Sequence, residues 1–511
     1  MNLLALPSEL IAHIARHLDD VDVFSVRLGH PNLERACFSL FGQRFFRKRG
    51  FLILHASLDV LQSIAEHPEL RKYMQHVWFN PDYYTFLPPD CCDDLPDGYE
   101  LPKIWTEDAA RALAPHGRYK EIASFMAHSR QYDKLLNTRE LERQLAKAFQ
   151  GLPNLMTVGM RRSEDYAPYG WRLLKDAIGQ DPRVIGPIER QTALQMSGPT
   201  CLFVAIVRAL AGIDRPLERL YTDAIELERL PAKLLSRINM TAALASMKYV
   251  ELNIVKGWQS QAGYDSDESD RSESDASNHN WHHNRGHYGQ GLVKFFKATP
   301  RLLELGLQIF PDQMQSHLVA PTPRDPSSWR RSYAFKAFQR LTSEITLPHL
   351  TRIKLEKLTT TSKILSDFLR PCSERLISLK LRDIRLLSSK DEPRPWETMF
   401  IFLATKCPRL EHILFYHLMY EQGGISYTEE PPLAPPAETD TDDYIEDPLW
   451  PVHAGQAMFA KYDHITMRVD GQEAVRAKLE EIAERHWYHR PLFSYAMDES
   501  QWHTDTSDEE W

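Results

Sequence analysis

One phrase recurs along this chain and limits what it can fold into. It reads LPNLMTVGM at 152–160, TPRLLELGL at 299–307, LPHLTRIKL at 347–355 and CPRLEHILF at 407–415. In each copy a proline stands two residues before the first of three apolar positions spaced as in L-x-x-L-x-L. The last two apolar positions are two residues apart, the period of a strand with one buried face. The proline marks a turn out of whatever precedes it. The same spacing without the proline occurs at Met74–Phe79, Met247–Leu252, Leu376–Leu381 and Tyr462–Met467. A unit of this kind cannot bury its apolar face alone, so copies must stack.

The first apolar residues stand at 74, 155, 247, 302, 350, 376, 410 and 462. Of the steps between them, only the 26-residue step from 350 to 376 has the length of a regular leucine-rich repeat. Residues 49–485 therefore read as an irregular, leucine-rich-repeat-like α/β solenoid with helical and disordered insertions. The alternative is a non-repetitive α/β domain. Helices are expected over 105–150, 201–212 and 217–247, with a closing helix at 473–490. Phe51–Leu54 and His76–Phe79 are strand candidates, separated by a helix over 57–67 that Pro68 stops.

Ahead of the repeats lie three short helical stretches. Pro7 sits in the first turn of one that carries Leu10, Ile11, Ile14 and Leu18 at helical spacing. Asp22 can cap a second, with Val23, Val26 and Leu28. Gly29-His30-Pro31-Asn32 is a turn signal, and a third stretch carries Leu33, Ala36, Cys37, Leu40 and Phe41. A segment of about 45 residues is small for independent stability, so an apolar face that it cannot cover needs a partner or must cap the solenoid.

With 511 residues, 43% of them hydrophobic and 26% charged, the chain is too long for one compact core. Its net charge of −9 is uneven. Three segments, 264–278, 421–447 and 498–511, hold 21 of the 70 acids and one of the 61 bases, which leaves 60 bases against 49 acids elsewhere. The first lies in an acidic, histidine-containing insertion over 259–290, the second is an acidic proline-rich linker and the third an acidic tail; all three have the composition of disorder. Serines flanked by acids in the insertion suit acidophilic kinases, and an acidic segment could fold back on a basic face. No run approaches the roughly 20 apolar residues of a membrane span, and MNLLALPSEL is not a signal peptide. The six cysteines form no C-x-x-C pair, so a reducing compartment, cytoplasmic or nuclear, is expected.

No phosphate-binding glycine loop, nucleophile elbow or H-E-x-x-H pair is present, and the chain is not expected to be an enzyme. His279, His282, His283 and His287 lie in a polar insertion that would not hold ligands rigidly, so no metal or other cofactor is expected. Cys91-Cys92 has no strongly basic neighbour to activate a thiolate. Arg44, Arg47, Lys48 and Arg49 interleave with Phe45, Phe46 and Phe51, a pattern that can contact nucleic acid. The phenylalanines fall at helix–strand packing positions, however, so a core role is expected and nucleic acid is not an expected partner.

The opening, L6-P7-S8-E9-L10-I11 through D22-V23-F24-S25-V26-R27-L28, resembles the F-box family. It has that family's Leu-Pro, the glutamate two residues on, the apolar pairs, an acidic turn and a short apolar helix. Joined to the repeat-like phrases downstream, the chain is most similar to fungal F-box proteins with degenerate leucine-rich repeats. It departs from the family at Gly29–Asn32, where the pattern usually continues the helix. The resemblance implies a three-helix F-box over 1–48 that docks on the Skp-family adaptor of a cullin–RING (SCF-type) ubiquitin ligase. Leu6, Pro7, Leu10, Ile11, Ile14, Leu18, Val23 and Val26 match the family's interface or core positions. The chain would then be a substrate-recognition subunit, and the alternative is a repeat-based interaction scaffold without a ligase role.

A protein substrate would meet the outward residues of the strands: Thr157, Glu304, Gln308, Arg352, Lys354, Lys380, Arg382 and His412. Arg352 and Lys354 share one face, as do Lys380 and Arg382, and stacking of the two repeats would join them into a basic patch for an acidic or phosphorylated segment. Glu356 is expected opposite Arg382, where it would dilute the patch.

Overall fold

A computed structural model of the chain describes residues 3–81, most of 127–161, 167–178, most of 197–226, 240, 244–255, 289–309, 330, 332–389, 392–420, 423–427 and 467–489. The insertion up to residue 288, the tail from 498, nearly all of the acidic linker, Cys91-Cys92 and the four clustered histidines lie outside the described residues. The chain forms two compact units that divide near residue 303.

The first unit opens with three helices, α1 (Ser8–Arg16), α2 (Asp20–Gly29) and α3 (Pro31–Phe46). Pro7 is the cap of α1, and its carbonyl accepts from the N–H groups of Leu10 and Ile11. Asp19, not Asp22, caps α2: its side chain accepts from Asp22 N at 2.7 Å. The break at Gly29–Asn32 is a single extended residue, His30, followed by Pro31 in the first turn of α3, where the missing N–H costs nothing. The ring of His30 caps α3 by accepting from Asn32 N. Two arginines hold the trio together. Arg27 reaches from α2 to Glu34 at 3.1 Å and lies 3.7 Å over the Phe41 ring, and Arg44 of α3 grips Asp20 and the Leu18 carbonyl. Phe45, Phe46 and Phe51 are buried, as packing positions should be.

Strand β1 (Lys48–Leu52) comes earlier than the expected Phe51–Leu54. Helix α4 (His55–Glu66) then leads to β2 (His76–Asn80), paired parallel to β1. The order continues through β3 (Thr157–Met160), β4 (Arg219–Glu226) and β5 (Tyr249–Val255). The helical expectation for 217–247 is wrong at β4. Leu217, Leu220 and Thr222 have the phrase's spacing and are all buried, with threonine in the third apolar place. The free edge of β1 is covered by Tyr169, which exchanges hydrogen bonds with Gly50 O and Leu52 N.

The second unit repeats one module more closely. Strands β6 (Glu304–Ile309), β7 (Arg352–Glu356), β9 (Ser378–Arg382) and β11 (His412–Tyr416) pair parallel in that order. After β7, β9 and β11 comes one residue in the left-handed region: Lys357 (φ 53°), Asp383 (φ 54°) and His417 (φ 51°). Each is followed by a buried leucine or isoleucine and a two-residue strand: β8 (Thr359–Thr360), β10 (Arg385–Leu386) or β12 (Met419–Tyr420). The left-handed turns are stitched together. Lys357 N donates to Arg382 O, Asp383 N to Tyr416 O, and the Asp383 carboxylate meets His417 Nδ1 at 2.7 Å. Residues of this kind cost about 1 kcal/mol each in that conformation, so the inter-repeat bonds must hold them there.

Helices Ser362–Leu369, Pro395–Lys406 and Gln472–Arg485 return behind the strands. The last stops at Arg485, earlier than the expected 490, and the chain turns into β15 (His486–His489). Strand β13 (Gly423–Tyr427) lies inside the segment expected to be a linker and pairs with both β12 and β15. Strand β14 (Met467–Asp470) closes the ladder antiparallel to β11.

All three apolar positions of the phrases starting at 74, 155, 247, 302, 350, 376 and 410 are buried. Within each unit one carbonyl accepts from two successive N–H groups of the next copy. Gln75 O takes Met156 and Thr157, Thr351 O takes Ile377 and Ser378, and Ile377 O takes Glu411 and His412. This contact locks the register. On the opposite side of the first unit's strands, glycines make room for aromatics: a Cβ on Gly50 would lie 2.2 Å from the Trp78 ring. Gly50→Ala should therefore destabilise the first unit by about 1–3 kcal/mol, read from urea unfolding, although alanine suits a strand better than glycine.

Candidate functional site

The helical trio sorts the eight expected docking residues into two roles. Ile11 and Ala15 are buried with Leu33 and Cys37, and Leu6, Leu18 and Val26 pack against them. Val23 is also fully buried. These side chains hold the trio together. Pro7, Leu10 (50% exposed) and Ile14 (42%) point outward, the latter two one turn apart on α1. Sequence reasoning missed their counterparts on α2. Val21 (73%), Phe24 (43%) and Leu28 (82%) are exposed at i, i+3 and i+7, on one helical face. That spacing was legible, but Phe24 also packs edge-on against Phe41 and at a tilt against Phe45, so it belongs partly to the core.

The polar face of the second unit's ladder collects the expected substrate-binding residues. The register places Arg352 beside Ser378 and His412, Lys354 beside Lys380 and Leu414, and Glu356 beside Arg382 and Tyr416. The four cations are thus brought together. Acids dilute them, by different pairings from those expected. Glu304 on β6 binds Arg352 at 3.0 Å, and Glu356 turns along its own strand to Lys354 at 3.3 Å. Arg382 lies 3.7 Å from the Asp383 carboxylate and 5.2 Å from the centre of the Tyr416 ring instead. His412 meets Asp470 of β14 at 2.9 Å and, with Arg468, holds that carboxyl below its usual range. The described face carries Arg352, Lys354, Lys380, Arg382 and Arg468, with Glu304, Glu356, Asp383 and Asp470 paired to cations among them. It is a mixed polar surface with a basic centre.

The first unit presents a second polar row that the sequence did not advertise. Lys48, His76, Thr157 and Arg219 stand side by side on β1–β4. In the next row Tyr221 lies across Gly159, and its hydroxyl is 2.8 Å from His76 Nε2. Arg161 sits 4.7 Å from the centre of the same tyrosine ring. Burial, reinforced by Lys48, Arg161 and Arg219, pushes His76 down to about 3. Cys372 and Cys407, by contrast, are buried thiols pushed up to about 12, inert at neutral pH.

No protein-family model and no curated protein matches the chain. Among solved structures it is similar to the leucine-rich repeat-containing protein LegL7 from Legionella pneumophila. That match has 10% identity and a TM-score of 0.23, and it covers 73% of this chain and 90% of that one. It is also similar to a chain of the Rad7 and Elc1 complex in yeast, at 10% identity and a TM-score of 0.17, covering 61% of this chain and 81% of that one. Both superpositions are loose, and the reading below rests on this chain's own residues. Among the described residues no helix is long and apolar enough to cross a membrane.

His76 gives a pH test. Its folded form stays neutral while the unfolded ring protonates below about 6.5, so its contribution is complete above that pH and is lost as pH falls towards 3. Going from pH 7 to 5 should cost up to about 2 kcal/mol through this residue. His76→Gln should remove that slope in urea unfolding at the two pH values.

Proposed function

We propose that this chain is a non-catalytic receptor in which α1 and α2 dock on a Skp-family adaptor of a cullin–RING ubiquitin ligase, while the strand faces bind a protein substrate. The observation that carries the docking half is the exposed apolar set Leu10, Ile14, Val21 and Leu28 on a trio whose own core is complete without them. Covering one aliphatic side chain is worth about 1.5–3 kcal/mol, enough to make such a face a natural seat for a partner. The sequence resemblance of residues 6–28 to the F-box supplies the partner's identity. The break at Gly29–Asn32 is compatible with docking, because His30 and Pro31 restart the helix at once and Arg27 ties α2 to α3.

The mechanism is proximity. A receptor that holds a substrate near a ubiquitin-loaded conjugating enzyme raises the effective concentration of the substrate's lysines without contributing a reacting group. The repeats suit this role because, within each unit, every strand adds outward side chains to a shared face while its leucines stay buried.

The double variant Leu10→Asp/Ile14→Asp should fold normally and lose at least a hundredfold in affinity for a recombinant Skp-family adaptor, measured by calorimetry. Ile11→Asp should instead lower the unfolding midpoint, since Ile11 is core. Wild-type chain that shows no affinity for the adaptor would leave the scaffold reading in its place.

A further inference from the structure

We propose that His13 and His17 of α1 form a two-ligand site for a divalent transition-metal ion such as zinc, and that an ion held there opposes docking on α1 and α2. The site stands on the helix geometry alone. Its effect on docking rests on the receptor reading given above.

Both histidines are exposed, and four residues separate them, which puts them one turn apart on one side of α1. Their ring centres are 5.2 Å apart, and the rings meet edge to face at 76°. Among the described residues neither ring has a hydrogen-bond or ion-pair partner. Other described histidines are engaged. The rings of His30 and His67 accept from backbone N–H groups of their own turns, and His412 and His417 each meet an aspartate.

The spacing fits an ion. Metal–nitrogen bonds of about 2.0–2.1 Å hold two imidazole centres roughly 5.2 Å apart in tetrahedral geometry and roughly 4.5 Å apart at a right angle. The centre of a histidine ring lies close to its Cβ–Cγ axis. Turning the ring about that soft torsion therefore aims a nitrogen at the ion and leaves the centres nearly in place. His17 is the C-cap residue of α1, and the partial negative charge of a helix C-terminus favours a cation in the last turn. The two charged residues of α1, Glu9 and Arg16, offset each other. Among the described residues no group of three ligating side chains occurs, so water completes the coordination. Imidazole ligands select zinc, nickel or copper(II) over magnesium and calcium, which take oxygen.

Leu10, His13, Ile14 and His17 are spaced i, i+3, i+4 and i+7, so the ion's ligands share a face with the outward leucine and isoleucine. An apolar partner can cover a hydrated dication there only by stripping its water, which is strongly unfavourable. Ion and partner therefore oppose each other, and by linkage each lowers the other's affinity by the same factor.

The test is hydrogen–deuterium exchange of the full chain with zinc or with magnesium. A local readout is needed because the chain has 21 histidines. Zinc should slow exchange within residues 8–17 at least threefold, because an ion bridging successive turns holds the helix together. Magnesium should leave it unchanged. His13→Gln/His17→Gln should remove the protection, and so should His17→Gln alone, since one imidazole cannot chelate. Replacing His279, His282, His283 and His287 with asparagine should leave it in place. The same protection in the folded double variant, or none in the wild-type chain, would overturn the site. In calorimetry, zinc should lower the wild-type affinity for a recombinant Skp-family adaptor at least tenfold, and that of His13→Gln/His17→Gln less than twofold. Equal sensitivity of the two would overturn the opposition. A wild-type chain that never binds the adaptor sinks the docking reading instead, while the exchange experiment still decides the metal site.

Discussion

The parallel ladder of each unit hangs on a carbonyl shared at the entry of successive strands. When Gln75 O or Thr351 O accepts from two successive N–H groups of the next copy, neighbouring strands have only one register available. A slip by one residue would turn every buried leucine outward and every outward charge inward, so backbone bonding and burial enforce the same alignment. The rows of side chains on the polar face are a consequence. Lys354 stands beside Lys380, Lys48 beside His76, His76 beside Thr157 and Thr157 beside Arg219, because the ladder leaves no other arrangement.

The repeat module was legible because its burial pattern is written in apolar residues at fixed spacing, and every phrase from Met74 to Phe415 lands in a strand or its entry turn. Strand β4 was not, because Thr222 replaces an apolar residue in the third place and the run beyond it looks helical. The left-handed turns were hidden for a different reason. Glycine normally announces such a turn, but here Lys357, Asp383 and His417 are held in place by bonds to a neighbouring repeat, which no local pattern records. The docking face was half legible. Helical spacing separates Leu10 and Ile14 from Ile11 and Ala15 only once the position of α3 is known, since any of the four could have faced it.

Electrostatics distinguish the two units more than composition does. In the second unit acids occupy the same rows as the cations, and Glu304 and Glu356 satisfy Arg352 and Lys354. Exposed pairs of this kind contribute little to stability, but they set which surfaces remain available to a charged partner. In the first unit the same geometry gathers Lys48, Arg161 and Arg219 around His76. Part of the basic group at the end of α3 is meanwhile spent within the protein, with Arg44 on Asp20 and Arg47 on Gln75. Exposed apolar side chains thus fall on α1 and α2 and charged ones on the strands, a division suited to two different partners.

That division is tested most directly by hydrogen–deuterium exchange of the full chain, alone and with a saturating Skp-family adaptor. The account predicts slowed exchange within residues 8–29 and no change in β6, β7, β9 or β11. Protection on those strands, or none on α1 and α2 with adaptor bound, would contradict it.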